Sequence, residues 1–293
     1  MARPDYSTSG HAGRTRLSRR TALRSLLAAA ATAAAGPRAE GAPGTARWWS
    51  SLVWAVFENR TFTEVSALPS HRRLAREGTV LTRYFAVGHP SGPNYRAMAS
   101  GERWGTAEVI DTYHPTVASA GAAASPPVPA YVYHLTGTIA RKHNPLVDLH
   151  APIAATRAGL EALRADLGGG PTGLPDRCLV YAGWNDDNDM HNGHPERADA
   201  NLHALLDALA ASPWFTTPDA AGRYPAFFFC YDEDDFNADN RVFAAFWGRG
   251  VRRGAASAVR HTHYGFCRTV SDNWGLPLLG QAAREAPIAE PWM

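Results

Sequence analysis

Cysteine is scarce in this chain, with only three among 293 residues: Cys178, Cys230 and Cys267. They are widely spaced, and no CxxC or CxxH pair occurs, which argues against a structural zinc site. Two of them lie in the apolar runs CLVYAG and FFFC, where a cysteine usually acts as a small buried hydrophobe. The cysteine count therefore allows one disulfide at most.

Long hydrophobic runs are also missing. The longest apolar stretch covers roughly a dozen residues (26–36), which is too short to cross a bilayer as a stable helix. Arginines precede it and small residues follow it to about Ala42, which is the pattern of an export signal. No cysteine occurs in residues 1–42, so a lipoprotein anchor has no support. We predict no stable membrane anchor.

The stretch SRRTALRSLL (18–27) resembles a twin-arginine signal, with paired arginines ahead of a mild, alanine-rich segment. We therefore expect residues 1–42 to be an export signal read by the twin-arginine machinery, and residues 43–293 to form the exported domain. The predicted location is bacterial and secreted, periplasmic or cell-wall-associated. The alternative is that the same stretch forms a basic amphipathic helix.

An excess of basic residues is absent once this segment is set aside. Residues 1–42 contain seven of the 29 Lys and Arg residues and two of the 27 acidic residues, so the remainder carries a net charge of −3. Proteins that bind nucleic acids usually keep a basic excess, and no arginine stripe interleaved with aromatics occurs. We predict no nucleic-acid partner.

Short hydrophobic runs alternate with helical patterns along the rest of the chain. Nearly continuous apolar runs of this length are typical of strands buried on both faces. Between them, leucines at 202, 205, 206 and 209 follow helical spacing, and those at 160, 163 and 167 form a weaker stripe that ends at 168–170. The fold class that this predicts is α/β, with a mostly parallel sheet between helical layers. The predicted strands cover residues 51–57, 79–87, 130–135, 178–184, 226–231 and 242–247, and residues 120–127 are predicted to form a surface loop.

Acidic and amide side chains follow three of these runs. Glu58-Asn59 comes after the first, NDDNDMH (185–191) after the fourth, and DEDD (232–235) after the fifth. Parallel sheets bind ligands beyond the carboxyl ends of their strands, so these groups should meet at one edge. Carboxylates that crowd together raise one another's pKa unless a cation compensates them. Oxygen donors suit Ca²⁺, Mg²⁺ or Mn²⁺, and added imidazoles suit Zn²⁺ or Fe.

The segment GHPSGPNYRAMASG (88–101) places a serine where a helix is predicted to begin. Pro93 is typical of a first helical turn and Gly101 of a helix end. Ser91 would lie where free N–H groups and the helix dipole favour an anion. A metal beside it would lower the pKa of the hydroxyl and make it a nucleophile, and Asn94 could donate to an oxyanion. Without a metal, Ser91 is explained equally well as a helix cap.

Six blocks of this chain occur in an order that resembles one known family. They span roughly residues 50–285 and are similar to the phosphoesterases of the acid phosphatase and bacterial phospholipase C type, within the alkaline-phosphatase-like superfamily. The blocks are FENRTF (57–62), HPSGPNYRAMASG (89–101), KHNP (142–145), NDMHNG (188–193), YDEDD (231–235) and HYGFCRTVSDNWGLPLLGQA (263–282).

The resemblance implies a three-layer α/β/α sandwich and metal-dependent phosphoryl transfer through a phosphoserine. It assigns Ser91 as the nucleophile and as a metal ligand. The other metal ligands that it implies are Glu58, Asn59, Asp232 and Glu233. The residues that it places around the phosphate or the leaving group are His143, Asp189, His191 and His263.

Several functions stay open at this stage. The short chain favours an acid phosphatase acting on small phosphate monoesters, whereas a phosphodiesterase of the phospholipase C type would use the same site. A metal-free serine esterase would pair Ser91 with His263, although the G-x-S-x-G motif is missing. A non-catalytic exported protein that binds a structural metal is the remaining alternative. Gly92, where the family commonly has leucine, and the alanine- and proline-rich loop 112–128 depart from the family pattern and bear on substrate shape.

Overall fold

The strands of this protein come from its short hydrophobic runs, which pair into one large sheet and one small sheet. The structure, a computed structural model, describes residues 46–169, 173–236 and 239–292. The predicted export signal, residues 1–42, lies outside the described residues. Within these ranges no helix is long and apolar enough to cross a membrane.

The large sheet has eight strands, seven of which run in the same direction. Their spatial order is β10-β2-β9-β7-β1-β6-β4-β5, and only β9 runs opposite to its neighbours. The predicted α/β class with a mostly parallel sheet is therefore confirmed. The strands are β1 (Leu52–Phe57), β2 (Thr79–Leu81), β4 (Ala130–Thr136), β5 (Ala155–Ala158), β6 (Leu179–Trp184), β7 (Ala226–Tyr231), β9 (Ala244–Trp247) and β10 (Ala255–Ser257).

The three central strands, β1, β6 and β7, are hydrophobic along their whole length. Every residue of β1, β6 and β7 is buried, because the sheet is covered on both faces. β1 lies between β6 and β7 and is parallel to both, so the carboxyl ends of all three strands meet at one edge. The predicted convergence of the segments that follow these strands is a direct result of this order.

Two predicted strands are each divided in the structure, and here the prediction was wrong. Residues 79–87 form β2 and then β3 (Tyr84–Phe85), and residues 242–247 belong to β8 (Arg241–Val242) and β9. β3 and β8 join β11 (His261–Thr262) in a second, three-stranded sheet. Because β2 pairs with β9 and β3 pairs with β8, a single antiparallel ribbon crosses from one sheet to the other. A continuous apolar run does not reveal such a change of sheet.

The helices form two groups that pack on the sheet, as expected for layers on opposite faces. The helices are α1 (Phe62–Val65), α2 (Pro69–Glu77), α3 (Ser91–Ser100), α4 (Val117–Ala122), α5 (Pro145–Asp148), α6 (Leu160–Leu167), α7 (Pro195–Ala211), α8 (Pro213–Thr216) and α9 (His263–Trp274), with single 3₁₀ turns at Arg141–His143, Gly280–Arg284 and Glu290–Trp292. One group contains α2, α6, α7 and α8, and the other contains α3, α4, α5 and α9.

The leucine patterns predicted the longer helices well. All four leucines of the 202–209 stripe are buried on α7, and α6 ends at Gly168, as predicted. α3 begins at Ser91 and is capped at its end by Gly101, whose left-handed backbone (φ 70°) is a conformation that glycine adopts without strain. The loop predicted at 120–127 begins inside a helix, because α4 extends to Ala122.

A buried hydrogen-bond network connects α2 and α7 to the end of β7. Asp199 on α7 accepts hydrogen bonds from the Ser70 main chain (3.1 Å) and lies 3.0 Å from His71 Nδ1. The other ring nitrogen, His71 Nε2, is 2.9 Å from the hydroxyl of Tyr231, the last residue of β7. Burial lowers the pKa of His71. The network supports the strand end from which Asp232 emerges.

We expect Asp199→Ala to lower the free energy of unfolding by about 3 kcal/mol, because the buried Ser70 N–H and the His71 ring would lose their hydrogen-bond acceptor. The matched control is Asp207→Ala on the same helix, which removes an exposed carboxylate and should cost less than about 1 kcal/mol. Urea denaturation of both variants measures the difference. Equal destabilisation by the two substitutions would contradict the structural role of Asp199.

Candidate active site

The side chains predicted to bind a metal meet where β1 and β7 end. Two hydrogen bonds join the segments that follow β1 and β7: the Asp232 N–H donates to the main-chain oxygen of Phe57 (3.0 Å), and the Asn59 N–H donates to the Asp232 carboxylate oxygen Oδ1 (3.1 Å). Asn59 has a left-handed backbone (φ 55°), which asparagine tolerates better than most residues. This turn points the Glu58 and Asp232 carboxylates to the same side.

Ser91 lies between two carboxylates at the first turn of α3. Its Oγ is 3.0 Å from Glu58 Oε2 and 3.1 Å from Glu233 Oε1, and the residue is only 3% exposed. A hydroxyl has one proton and cannot donate to both acceptors at once. A second proton or a cation must therefore share this space.

Asn94, one turn further along α3, fixes the loop that leads into the helix. Its Oδ1 accepts from Val87 N (2.9 Å), while Nδ2 donates to Gly88 O (2.7 Å) and lies 3.2 Å from Glu233 Oε2. The amide is thus already engaged by protein groups. Its predicted donation to an oxyanion stays a prediction, and its observed contacts orient Ser91 and Glu233.

His143 joins the predicted metal site to a second acidic group. Its Nε2 lies 3.3 Å from Glu58 Oε2, and its Nδ1 lies 3.3 Å from Asp186 Oδ1 and 3.6 Å from Asp189 Oδ2. His191 lies nearby, with its ring centroid 5.3 Å from that of His143. Two sets of side chains could hold a metal ion: Glu58 with His143 and His191, and His143 with Asp186 and Asp189.

A backbone in a rare conformation positions Asp189 and His191. Met190, between them, is fully buried and has a left-handed backbone (φ 78°) that most side chains disfavour. The Asp189 carboxylate accepts from His191 N (3.0 Å), and its main-chain oxygen accepts from Glu58 N (2.9 Å). Strained residues of this kind are concentrated at functional sites.

The structure places His263 behind the site, where both of its ring nitrogens have partners. Nε2 lies 2.6 Å from the main-chain oxygen of Asp232, and Nδ1 lies 3.0 Å from the Tyr84 hydroxyl. Burial lowers the pKa of His263 to about 4. The observed contacts hold the Asp232 main chain, and a contact of His263 with substrate stays a prediction.

Four residues that the sequence reasoning did not single out also lie in the site. Tyr95 donates to Glu58 Oε1, and His89 Nδ1 lies 2.7 Å from Glu233 Oε2. Asp186 approaches His143, and Lys142 Nζ lies 3.0 Å from His191 Nε2. The sequence does distinguish Lys142, because it is the only lysine in a chain whose other basic residues are arginines, apart from histidine.

The carboxylates of the site have raised pKa values, mainly because they are buried. Burial, with the charges of Asp232 and Asp189, raises the pKa of Glu58. Burial and Asp232 raise that of Glu233 to about 9, and burial raises those of Asp189 and Asp232 to about 7. Burial, with the charge of Lys142, lowers the pKa of His143 to about 3. Without a bound cation, the surroundings therefore disfavour the charged forms of these carboxylates and of His143.

The donor set fits a metal ion. Both ring nitrogens of His143 and the Oδ2 atom of Asp232 are buried and have no hydrogen-bond partner among the described residues. Buried polar atoms are almost always satisfied, so such groups call for a ligand. Carboxylates with raised pKa values beside a neutral imidazole are a donor set that a cation would stabilise.

The chain is similar in sequence to known phosphatases, although no protein-family model matches it. It is 29% identical to a phosphatidylinositol-3-phosphatase of Mycobacterium tuberculosis over 297 residues, which cover 95% of each chain. It is also 29% identical over 258 residues to a phosphate-repressible acid phosphatase of Penicillium chrysogenum, covering 78% of this chain and 59% of that protein.

Solved structures show the same fold. A protein of the alkaline phosphatase superfamily from Vibrio parahaemolyticus superposes with a TM-score of 0.56 at 12% identity, covering 92% of this chain and 80% of the other. The fold is alkaline-phosphatase-like, as predicted. The predicted resemblance to phosphoesterases of the acid phosphatase type, and with it the class of hydrolases acting on phosphate esters, is confirmed by the curated relatives.

We expect the metal-free protein to lose stability as the pH rises from about 7 to about 9, by roughly 1 kcal/mol per pH unit. Glu233, Asp189 and Asp232 have raised pKa values in the folded state, so they bind protons more tightly there than in the unfolded chain. Each carboxylate loses this stabilisation between its unfolded pKa, about 4, and its folded pKa. Asp189 and Asp232, with pKa values of about 7, have therefore lost it by about pH 7, and Glu233, with a pKa of about 9, causes the slope between about pH 7 and pH 9. Urea denaturation with a chelator present, at a series of pH values, measures the slope.

Two controls belong to this experiment. Glu233→Gln removes the group with the highest of these pKa values, so its slope between about pH 7 and pH 9 should be smaller. Added divalent cation should also flatten the slope of the unsubstituted protein. A slope that is the same in all three samples would contradict the assignment of these carboxylates.

Proposed function

We propose that this protein is an exported, metal-dependent acid phosphatase that hydrolyses phosphate monoesters through a phosphoserine at Ser91. The main observation behind this proposal is that Ser91 Oγ, at the first turn of α3, lies within 3.1 Å of carboxylate oxygens of both Glu58 and Glu233. A nucleophile there meets a phosphate at the positive end of the helix dipole. Export rests on residues 1–42 of the sequence.

The names of the relatives support a monoester substrate. Both curated relatives described above are called phosphatases, and one is named for the phosphate at the 3-position of phosphatidylinositol. The proposed substrate is a small phosphate monoester.

The proposed metal ligands are those that the sequence predicted, with one addition. Glu58, Asn59, Ser91, Asp232 and Glu233 would hold a divalent or trivalent ion, and His143 supplies nitrogen donors on the same side of Glu58. When bound, the ion would neutralise the crowded carboxylates and lower the pKa of the Ser91 hydroxyl. Carboxylate oxygens with an imidazole nitrogen favour Zn²⁺, Fe or Mn²⁺ over Ca²⁺ or Mg²⁺.

The chain supplies the proton acceptor for the first step. Ser91 Oγ attacks phosphorus, a bond forms between Oγ and phosphorus, and the bond from phosphorus to the ester oxygen breaks. The hydroxyl proton passes to one of the two carboxylate oxygens that Ser91 Oγ contacts, Glu58 Oε2 or Glu233 Oε1, and returns to Ser91 when the phosphoserine is hydrolysed. Because both acceptors are fixed before substrate binds, the attack requires little rearrangement of the protein.

The leaving oxygen takes its proton from the histidine side of the site. The sequence left His143 and His191 as equal candidates for this role. Because burial lowers the pKa of His143 to about 3, its ring is neutral near pH 7 and has no imidazolium proton to donate, whereas partly exposed His191 is accessible to a leaving alcohol. Water then hydrolyses the phosphoserine, phosphate leaves, and Ser91 regains its proton.

The observed position of His263 argues against a metal-free serine esterase. A catalytic histidine would need a ring nitrogen facing the Ser91 hydroxyl. Both ring nitrogens of His263 are instead occupied, by Asp232 O and by Tyr84. Within the described residues, the hydrogen-bond partners of the Ser91 hydroxyl are the carboxylates of Glu58 and Glu233.

We expect Ser91→Ala to reduce kcat on p-nitrophenyl phosphate by at least about 1,000-fold, because it removes the nucleophile. An acid quench of the native enzyme with ³²P-labelled substrate should trap label on the protein, and the variant should trap none. Ser66→Ala, at a partly exposed position at the end of α1, is the control and should behave as the native enzyme. Label trapped in Ser91→Ala would exclude the covalent mechanism proposed.

Removing the metal should abolish turnover and distinguish the remaining alternatives. We expect a chelator to eliminate hydrolysis of p-nitrophenyl phosphate and added metal to restore it, because the carboxylates cannot share the site uncompensated. Hydrolysis of bis-p-nitrophenyl phosphate at a higher kcat/KM than the monoester would support a phosphodiesterase. Metal binding without turnover of either ester would support a binding protein.

A further inference from the structure

The loop 103–111 lies directly on the first turn of α3. Gly92, the residue after Ser91, has no side chain, and a Cβ atom there would lie 2.1 Å from the main-chain oxygen of Glu108. Any other residue would displace this part of the loop. Glycine thus allows the Glu108 main chain to approach the helix beside Ser91.

Two buried charged residues hold this loop in position. Arg96, on the second turn of α3, forms an ion pair of 2.9 Å with Asp148. The Arg96 guanidinium donates to the main-chain oxygens of Arg103 (2.7 Å), Ala107 (2.5 Å) and Glu108 (3.2 Å). Asp148 Oδ1 accepts from the main-chain N–H groups of Ile110 and Asp111, both at 3.0 Å. The side chains of Arg96 and Asp148 therefore hold the main chain of this loop around Glu108, and the Glu108 side chain takes no part in these contacts.

The Glu108 carboxylate occupies a position with two donors for an anion. Its Oε2 accepts from Gly92 N at 2.8 Å, and its Oε1 lies 3.6 Å from Lys142 Nζ. Lys142 Nζ is also 3.0 Å from His191 Nε2, on the proposed leaving-group side. A carboxylate oxygen and a phosphoryl oxygen bind the same kinds of donors.

We propose that the Glu108 carboxylate is a built-in competitor of the phosphate group for Gly92 N–H and the Lys142 ammonium. A phosphate that binds at Ser91 displaces this carboxylate, and the carboxylate returns as inorganic phosphate leaves. Glu108 thereby weakens the binding of substrate and of product phosphate, and so limits product inhibition. This inference rests on the proposed function.

The first test compares two substitutions that remove the same charge from the same loop. Glu108→Gln weakens the competitor, because a neutral amide makes a weaker hydrogen bond than a carboxylate, and Glu108→Ala removes it. Asp111→Asn is the matched control, since Asp111 pairs with Arg141 and His150 on the surface. Thermal unfolding of each variant checks that the fold is kept.

We expect the Ki for inorganic phosphate and the KM for p-nitrophenyl phosphate to fall by the same factor in Glu108→Gln, about three- to tenfold. The factor should be larger in Glu108→Ala, while Asp111→Asn should match the native enzyme. Values of Ki and KM in the Glu108 variants that equal those of Asp111→Asn would overturn the proposal.

The second test needs no turnover and uses the fact that Lys142 is the only lysine in the chain. Its side chain is 23% exposed, so acetic anhydride should acetylate it, and mass spectrometry of the peptide that contains it measures the rate. Inorganic phosphate should slow this acetylation in the native protein. The phosphate concentration for half-protection should fall in Glu108→Gln by the same factor as Ki.

The two tests separate this inference from the proposed function. Acetylation that phosphate does not slow, or half-protection that is unchanged in Glu108→Gln, would overturn the competitor role even in an active phosphatase. A native enzyme that hydrolyses no phosphate ester would contradict the proposed function. In that case, phosphate protection of Lys142 that tightens in Glu108→Gln would still support the competition for the anion position.

Discussion

The burial of carboxylates is the constraint on which the site depends. Glu58, Asp232 and Glu233 lie around one hydroxyl in a place that solvent barely reaches; burial raises the pKa of all three, and the charge of Asp232 raises those of Glu58 and Glu233 further. The fold imposes this arrangement, since the ends of β1 and β7 are adjacent and a main-chain hydrogen bond from Asp232 N to Phe57 O joins them. A cation that enters such a site is bound strongly because it relieves a cost that folding has already imposed.

The histidines show how the same side chain serves two purposes here. His71 and His263 are buried with both ring nitrogens engaged by protein groups, and they hold the two ends of the segment from Tyr231 to Asp232. His143 is just as buried, yet neither of its nitrogens has a hydrogen-bond partner among the described residues. The satisfied rings support the scaffold, and the unsatisfied ring marks the place where a ligand is needed.

The sequence predicted the parts of this protein that depend on local chemistry. The hydrophobic runs predicted β1, β6 and β7, and the acids after them predicted where the site lies, because strand direction brings those ends together. The divided strands at 79–87 and 242–247 could not be read in this way, since hydrophobicity does not report which sheet a residue joins. Pairwise contacts were equally hidden: nothing in the sequence places Glu108 against Gly92 or Tyr84 against His263.

The ribbon that crosses between the two sheets links the nucleophile to the acidic pair. β3 leads into α3, β8 follows the segment 232–240, and the two strands pair as Tyr84 with Val242 and Phe85 with Arg241. The pairing continues beyond the strands, because Ala86 N donates to Asn240 O (2.9 Å) and Asn240 Nδ2 donates to Gly88 O (3.0 Å). The spacing between Ser91 and the acidic pair Asp232 and Glu233 therefore depends on strand pairing outside the site, so a substitution in this ribbon would alter the site without replacing any of its side chains.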